Sequence, residues 1–253
     1  MDLGDAGILT VTAFLAGAIN AIAGGGTLIS FPGLLAAGYT PKIANVTNTV
    51  AIWPGMVGGS WAYREELSRQ RQTIAVILLP TLAGAITGAA ILLSTPESTF
   101  EALVPFLILG ACAVLALQDR IARAVFHEPH SGELTAVRRA VLSGTMFAIA
   151  IYGAYFGAAM GIIVLAVFGL LLPDDIQHSN ALKGLFALFV NGVAAVSFAV
   201  FGDVAWEEAA VMAVATLVGG YLGVGVARRL ERDRLRLVVI IYGSIAAVVL
   251  LVT

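Results

Sequence analysis

Lys183 stands in the run IQHSNALKGLFALF, and no other charge lies so far inside an apolar segment of this chain. Counted from Ile176 it is about two helical turns in, roughly 10 Å at 1.5 Å per residue. A charge at membrane depth costs about 3 kcal/mol or more even on lenient scales, so this lysine needs compensation. Asn180 and Ser179 come three and four residues earlier and share its helix face. A cation flanked by an amide and a hydroxyl suits a small anion. The competing account is that Lys183 snorkels along its stem to the cytoplasmic surface.

A second polar group lies in the first half, in GAINAIAGGGTLISFPGLLAAGYTPKIANVTNTVAIWPG. Gly24, Gly25 and Gly26 interrupt an apolar helix, although glycine costs about 1 kcal/mol per helical position. Backbone freed at membrane depth is tolerated only inside protein or along a cavity, so the break suggests a site. A helix restarting there would present N–H groups and its positive dipole end to an anion, with Thr27 able to cap it. Asn20, Asn45, Thr47, Asn48 and Thr49 could line the same pocket. For Thr47 and Thr49 the alternative is a bond to their own helix carbonyls. In the second half Tyr152, Tyr155 and Phe156 occupy a comparable break, with Asn191 on the following helix. A tyrosine there could donate to an oxyanion or fill the bend.

The elements that position these groups are membrane helices. The composition is 59% hydrophobic and 12% charged with mean hydropathy +0.95, against about half apolar and a quarter charged in a soluble domain. At about 20 residues per crossing, the 253 residues hold about six to ten membrane segments and no separate soluble domain. Periodicity and breakers place segments at 6–23, 26–38, 41–63, 72–93, 100–118, 138–155, 157–172, 176–201, 207–227 and 236–252. The segments 26–38 and 157–172 are short, and each pairs with its predecessor as a bent hairpin. The start, MDLGDAG, lacks the basic region of a cleaved signal, so the first helix is expected to be retained. Cys112 is the single cysteine, which rules out an intrachain disulfide. It reads as packing, and His127 and His130 read as a solvated linker.

Every arginine falls in one of three places: 64–71, 120–139 and 228–236. The positive-inside rule makes these cytoplasmic, while the acidic loops 94–101 and 202–208 face outward. Both chain ends are then expected outside. Lys42 is the one dissenting cation. At a spacing of 136, Gly17, Gly25 and Gly33 fall on Gly153, Gly161 and Gly169. At 135, Asn45 falls on Asn180, Asn48 on Lys183, and Gly84 and Gly88 on Gly219 and Gly223. The expected fold is therefore an all-α polytopic membrane protein of two inverted repeats, 1–125 and 126–253. Each repeat is a broken hairpin plus three spanning helices, an odd number of crossings, with substrate bound near the midplane. The paired glycines Gly84/Gly88 and Gly219/Gly223 read as helix packing.

The run from Gly17 to Ala51 and its weaker copy, GAAMGIIVLAVFGLLLPDDIQHSNALKG, resemble the sulfite exporter TauE/SafE family of membrane permeases over nearly the whole chain. The triglycine with Pro32, Gly38, Ala44, Asn45 and Thr47 carries the resemblance. It implies transport of sulfite, thiosulfate, sulfoacetate or a related anion across a prokaryotic inner membrane. Met160 departs from a glycine-rich second break, which bears on whether the site is two-sided. A secondary transporter, working outward by alternating access, is the favoured function, and a passive anion channel of the same fold is the alternative. The expected interior has no paired carboxylates, Cys/His pair or metal-ligand cluster, so an enzyme is not expected. No cofactor and no nucleic-acid partner are expected, and the partners are the anion, a coupling proton or cation, and the bilayer.

Overall fold

The computed structural model describes residues 3–22, 25–125, 135–172, 176–227 and 232–252. Eleven helices run through them: α1 (Leu3–Ile22), α2 (Thr27–Ala36), α3 (Pro41–Ala62), α4 (Arg64–Arg69), α5 (Arg71–Ser94), α6 (Glu97–Val125), α7 (Ala136–Tyr155), α8 (Met160–Leu171), α9 (Ile176–Phe201), α10 (Trp206–Ala227) and α11 (Arg232–Val252). Each of the ten expected segments has its helix. The short α4 was not expected, because six residues with Leu67 as the one apolar side chain carry no apolar period. α6 runs beyond 118 through QDRIARAV as a polar extension.

Among the described residues, three helices are long and apolar enough to cross a membrane on their own: Arg71–Ser94, Glu97–Ala124 and His178–Phe201. Gly4–Asn20, Thr27–Ala36, Met160–Leu171 and Arg236–Val252 are apolar but shorter. α3 has the length, 22 residues, but carries Lys42 and the NVTNT cluster. A helix that faces other helices rather than lipid can carry such groups. Large apolar side chains such as Leu79, Phe106, Val200 and Phe201 are exposed on the outer surface, as a lipid-facing wall requires.

The packing has an exchange pattern. α1 lies along α10 and α5 along α7; α3 crosses α9 and α6 crosses α11; α3 meets α10 as α9 meets α5; and α2 meets α11 as α8 meets α6. Exchanging α1, α2, α3, α5 and α6 with α7, α8, α9, α10 and α11 maps this set of pairs onto itself. Glycine makes the two closest contacts possible. A Cβ at Gly17 would meet the Thr216 backbone at 2.9 Å, and one at Gly219 would meet Phe14 at 2.8 Å. On the other side, a Cβ at Gly88 would meet Ile151 at 2.9 Å, and one at Gly84 would meet Ala150 at 2.8 Å. Helices in lipid associate through such backbone approaches, so Gly84, Gly88 and Gly219 have the packing role expected of them. The side-chain environment of Gly223 lies outside the described residues.

At the two crossings that the exchange maps onto themselves, residues 135 apart in sequence meet. The Trp53 indole N–H donates to Leu188 O at 3.2 Å, and a methyl group at Gly243 would lie 3.7 Å from Ile108. The dissenting cation is also accounted for. Lys42 Nζ donates to Leu93 O at 3.1 Å and Thr95 O at 2.7 Å. It caps the carbonyl end of α5, where the helix dipole favours a cation.

Candidate functional site

The first break is held by Asn20. Its Oδ1 accepts from Gly25 N at 3.2 Å and from Gly26 N at 2.8 Å, so two of the N–H groups expected to face an anion are already engaged. Gly25 takes φ +115°, a conformation that an L side chain adopts only with strain. Gly26 is the N-cap of α2, and a Cβ there would meet Asn20 Cγ at 2.9 Å. Thr27 is the first residue of α2, so the cap position expected of it falls to Gly26, and the Asn20 amide accepts from the N–H groups just before the helix. Gly24 lies outside the described residues.

The second break is built differently. α7 ends at Tyr155, the chain turns through Gly157 at φ 74° and Ala159 at φ 58°, and α8 begins at Met160. A left-handed alanine costs roughly 1–2 kcal/mol. The Tyr152 hydroxyl donates to Ala158 O at 2.6 Å and ties the two sides of the turn together. Of the two roles weighed for Tyr152, that is the one of holding the bend. Tyr155 stacks edge-on against Phe100 at 5.6 Å, and Phe156 stacks edge-on against Phe31 at 5.6 Å, which brings α6 and α2 to this turn.

Lys183 and Asn45 flank the second break. Lys183 Nζ donates to Asn180 Oδ1 at 3.0 Å, so the three-residue spacing does bring the two together. The lysine stem runs over the first turn of α8, where a Cβ at Gly161 would lie 3.3 Å from its Cδ. Gly161 was noted only as a repeat match to Gly25, and that match was the signal for its place here. Ser179 is fully buried and its Oγ has no hydrogen-bond partner. From α3, Asn45 Nδ2 donates to Tyr155 O at 2.9 Å. The Oδ1 atoms of Asn45 and Asn48 are buried without a partner.

Three expected members are engaged elsewhere. Thr47 Oγ1 accepts from Ala205 N at 3.0 Å, just before α10. Asn191 Nδ2 donates to its own helix at Ala187 O, 2.9 Å away. Thr49 bonds back to Asn45 O at 2.9 Å, the alternative foreseen for it. The described residues therefore form two clusters. Asn20, Gly25, Gly26 and Thr27 make the first break, and Asn45, Tyr152, Tyr155 and Lys183 surround the second.

A sequence profile of the family described as "Sulfite exporter TauE/SafE" matches residues 9–250. The chain is similar to a "Probable membrane transporter protein" of Haemophilus influenzae, 28% identical over 229 residues, covering 85% of this chain and 82% of the relative. It is similar to the "Probable membrane transporter protein YfcA" of Escherichia coli K12, 25% identical over 219 residues, 86% of this chain and 78% of the relative. It is also similar to the "Probable membrane transporter protein ORF9" of a Sinorhizobium species, 28% identical over 223 residues, 85% of this chain and 80% of the relative. No solved structure matches.

Proposed function

Because the chain belongs to the sulfite exporter TauE/SafE family of membrane transporters, we propose that it is a secondary transporter that exports a small sulfur-containing or organic anion such as sulfite, thiosulfate or sulfoacetate. The observation that carries this reading is Lys183 beside the first turn of α8. There a side-chain cation and the positive end of a helix dipole converge within an apolar protein, the two features an oxyanion needs to leave water. Asn180, held 3.0 Å from the ammonium, fixes its direction, and buried Ser179 adds a hydroxyl without a partner.

The proposed architecture is two inverted repeats, 1–125 and 126–253, in a prokaryotic inner membrane with both termini outside. Supporting it are the exchange pattern of helix pairs and the meeting of residues 135 apart at two crossings, Trp53 with Leu188 and Ile108 with Gly243. A two-fold axis passes between equivalent residues wherever equivalent helices cross. An inverted pair of broken hairpins can rock about that axis and open the site to either side in turn.

The test is flux of labelled sulfite in proteoliposomes. Transport should saturate, and sulfite loaded on the far side should accelerate uptake by counterflow. Flux that rises linearly with concentration, with no counterflow, would mean a channel.

A further inference from the structure

The partner of the buried oxygen on Asn45 cannot be a bare anion. Tyr155 O can only accept a hydrogen bond, so the Asn45 group facing it at 2.9 Å must be the NH2. This removes the usual ambiguity between amide oxygen and nitrogen. The Oδ1 atom is thereby turned to the other side, in a residue 1% exposed, and it has no hydrogen-bond partner. One turn on along the same face of α3, Asn48 is also 1% exposed and its Oδ1 also lacks a partner. A buried acceptor left unsatisfied costs about 1–3 kcal/mol, so whatever fills this place must bring a donor or a positive charge.

The surroundings favour positive charge. Tyr155 is the last residue of α7, so the bond from Asn45 seats its side chain against the carbonyl end of that helix, where the dipole is negative. Lys183 lies across the turn, at the opposite end of the break, where α8 begins and the dipole is positive. The two sides of one turn thus have opposite electrostatic character.

We infer that Asn45 Oδ1 and Asn48 Oδ1, beside the carbonyl end of α7, bind a monovalent alkali-metal cation that accompanies the anion held on the Lys183 side. The inference deepens the transporter reading and rests on it for the word "accompanies"; the binding itself is independent of which anion is carried. Neutral amide oxygens suit a singly charged hard cation, and divalent ions take carboxylates. They also exclude a resident proton, because an amide oxygen stays unprotonated at physiological pH. Unwound backbone and half-helix carbonyl ends hold coupling cations in broken-helix transporters generally.

The experiment follows thermal unfolding of the purified full chain in choline chloride, with no sulfur anion present, as Na+ or K+ replaces choline at constant ionic strength. A ligand that binds only the folded state raises Tm saturably. Such a rise is expected with at least one of the two cations. Asn45→Leu should weaken the apparent affinity tenfold or more, and Thr87→Val, half-buried on α5 and bonded only to its own helix at Ala83 O, should leave it unchanged. Asn48→Asp, which keeps the oxygen, adds charge and leaves the Asn45 bond to Tyr155 O in place, should tighten it. Should Asn45→Leu fail to fold, an unchanged affinity in Asn48→Asp would by itself overturn the assignment. Identical unfolding in all three salts would also overturn it and leave a trapped water as the donor. So would stabilisation that needs sulfite and grows as pH falls, because the oxygen would then be accepting from a protonated anion. Cation binding without sulfite transport would sink the transporter reading and leave the cation site standing.

Discussion

Trp53 and Leu188 meet through an indole N–H to carbonyl bond of 3.2 Å, and they stand 135 residues apart. That is the spacing that carries Asn45 onto Asn180 and Asn48 onto Lys183. A residue and its own repeat partner touch only where a two-fold axis passes between them, so α3 and α9 cross on the proposed axis. Asn45 of α3 and Lys183 of α9 both reach the second break, Asn45 at the end of α7 and Lys183 at the first turn of α8.

An inverted arrangement fixes which loops face the same way. Single cysteines replacing exposed Ser98 or Asp203 should react with an impermeant maleimide from outside, and cysteines replacing Ser68 or Ala124 only after permeabilisation. Asp203 is preferable to its neighbour Gly202, where a Cβ would meet Phe198 O at 2.9 Å. Native Cys112 is buried between α6 and α11, so the unmodified chain serves as the control. Ser131, on another arginine-flanked loop, lies outside the described residues. Exterior labelling of Ser68 would contradict the arginine-based orientation.

Asn20 holds the first break through two N–H groups. Asn20→Ala leaves both buried and unpaired, a cost of about 1–3 kcal/mol for each. Asn20→Asp keeps an acceptor. Thermal unfolding should show a clear loss of Tm for the alanine variant and most of it restored in the aspartate variant. Equal loss in both would mean that the side chain's volume, rather than its oxygen, supports the turn.

The helices were legible because each apolar run ends in glycine, proline or charge, and the packing role of Gly84, Gly88 and Gly219 followed from their spacing. The breaks were located correctly, but their chemistry was not readable. Whether Asn45 offers its NH2 or its oxygen depends on Tyr155, 110 residues away. Thr47 looked like a member of the polar cluster until α10 placed Ala205 N against it. Residue type tells which bonds a side chain can make, and only the fold tells which are already made. Lys183 with Asn180 was legible because both lie on one helix turn.

Thr47 Oγ1 accepts from Ala205 N, and we propose that it serves the turn before α10 rather than the anion. Thr47→Val should cost about 1 kcal/mol of stability while leaving sulfite affinity within about threefold, since each tenfold is about 1.4 kcal/mol. Calorimetric binding and thermal unfolding of the same preparation check both halves. A tenfold loss of affinity with unchanged Tm would return Thr47 to the site.

Tyr39, in the loop between α2 and α3, has its pKa pushed up to about 12, first by its hydrogen bond to Glu208 and then by burial and by the charges of Glu208, Asp5 and Glu207. A pKa raised on folding contributes stability that is complete below the unfolded value, about 10, and is lost as pH rises through the folded one. The Tm advantage of wild type over Tyr39→Phe should therefore be constant up to about pH 10 and shrink as pH approaches 12. An advantage that stays constant through that window would mean the hydroxyl does not donate to Glu208.

The central claim is that Lys183 supplies the charge that holds the anion. Direct calorimetric titration of sulfite into purified, folded Lys183→Arg, Lys183→Gln and Lys183→Ala measures it. Arginine keeps charge but changes shape and hydration, glutamine keeps some hydrogen bonding, and alanine keeps neither. A desolvated charge contact is worth a few kcal/mol, so affinity should fall in that order, with Lys183→Ala weaker by about tenfold or more. Three variants within about threefold of wild type would mean the lysine only snorkels to the surface, and would contradict the account.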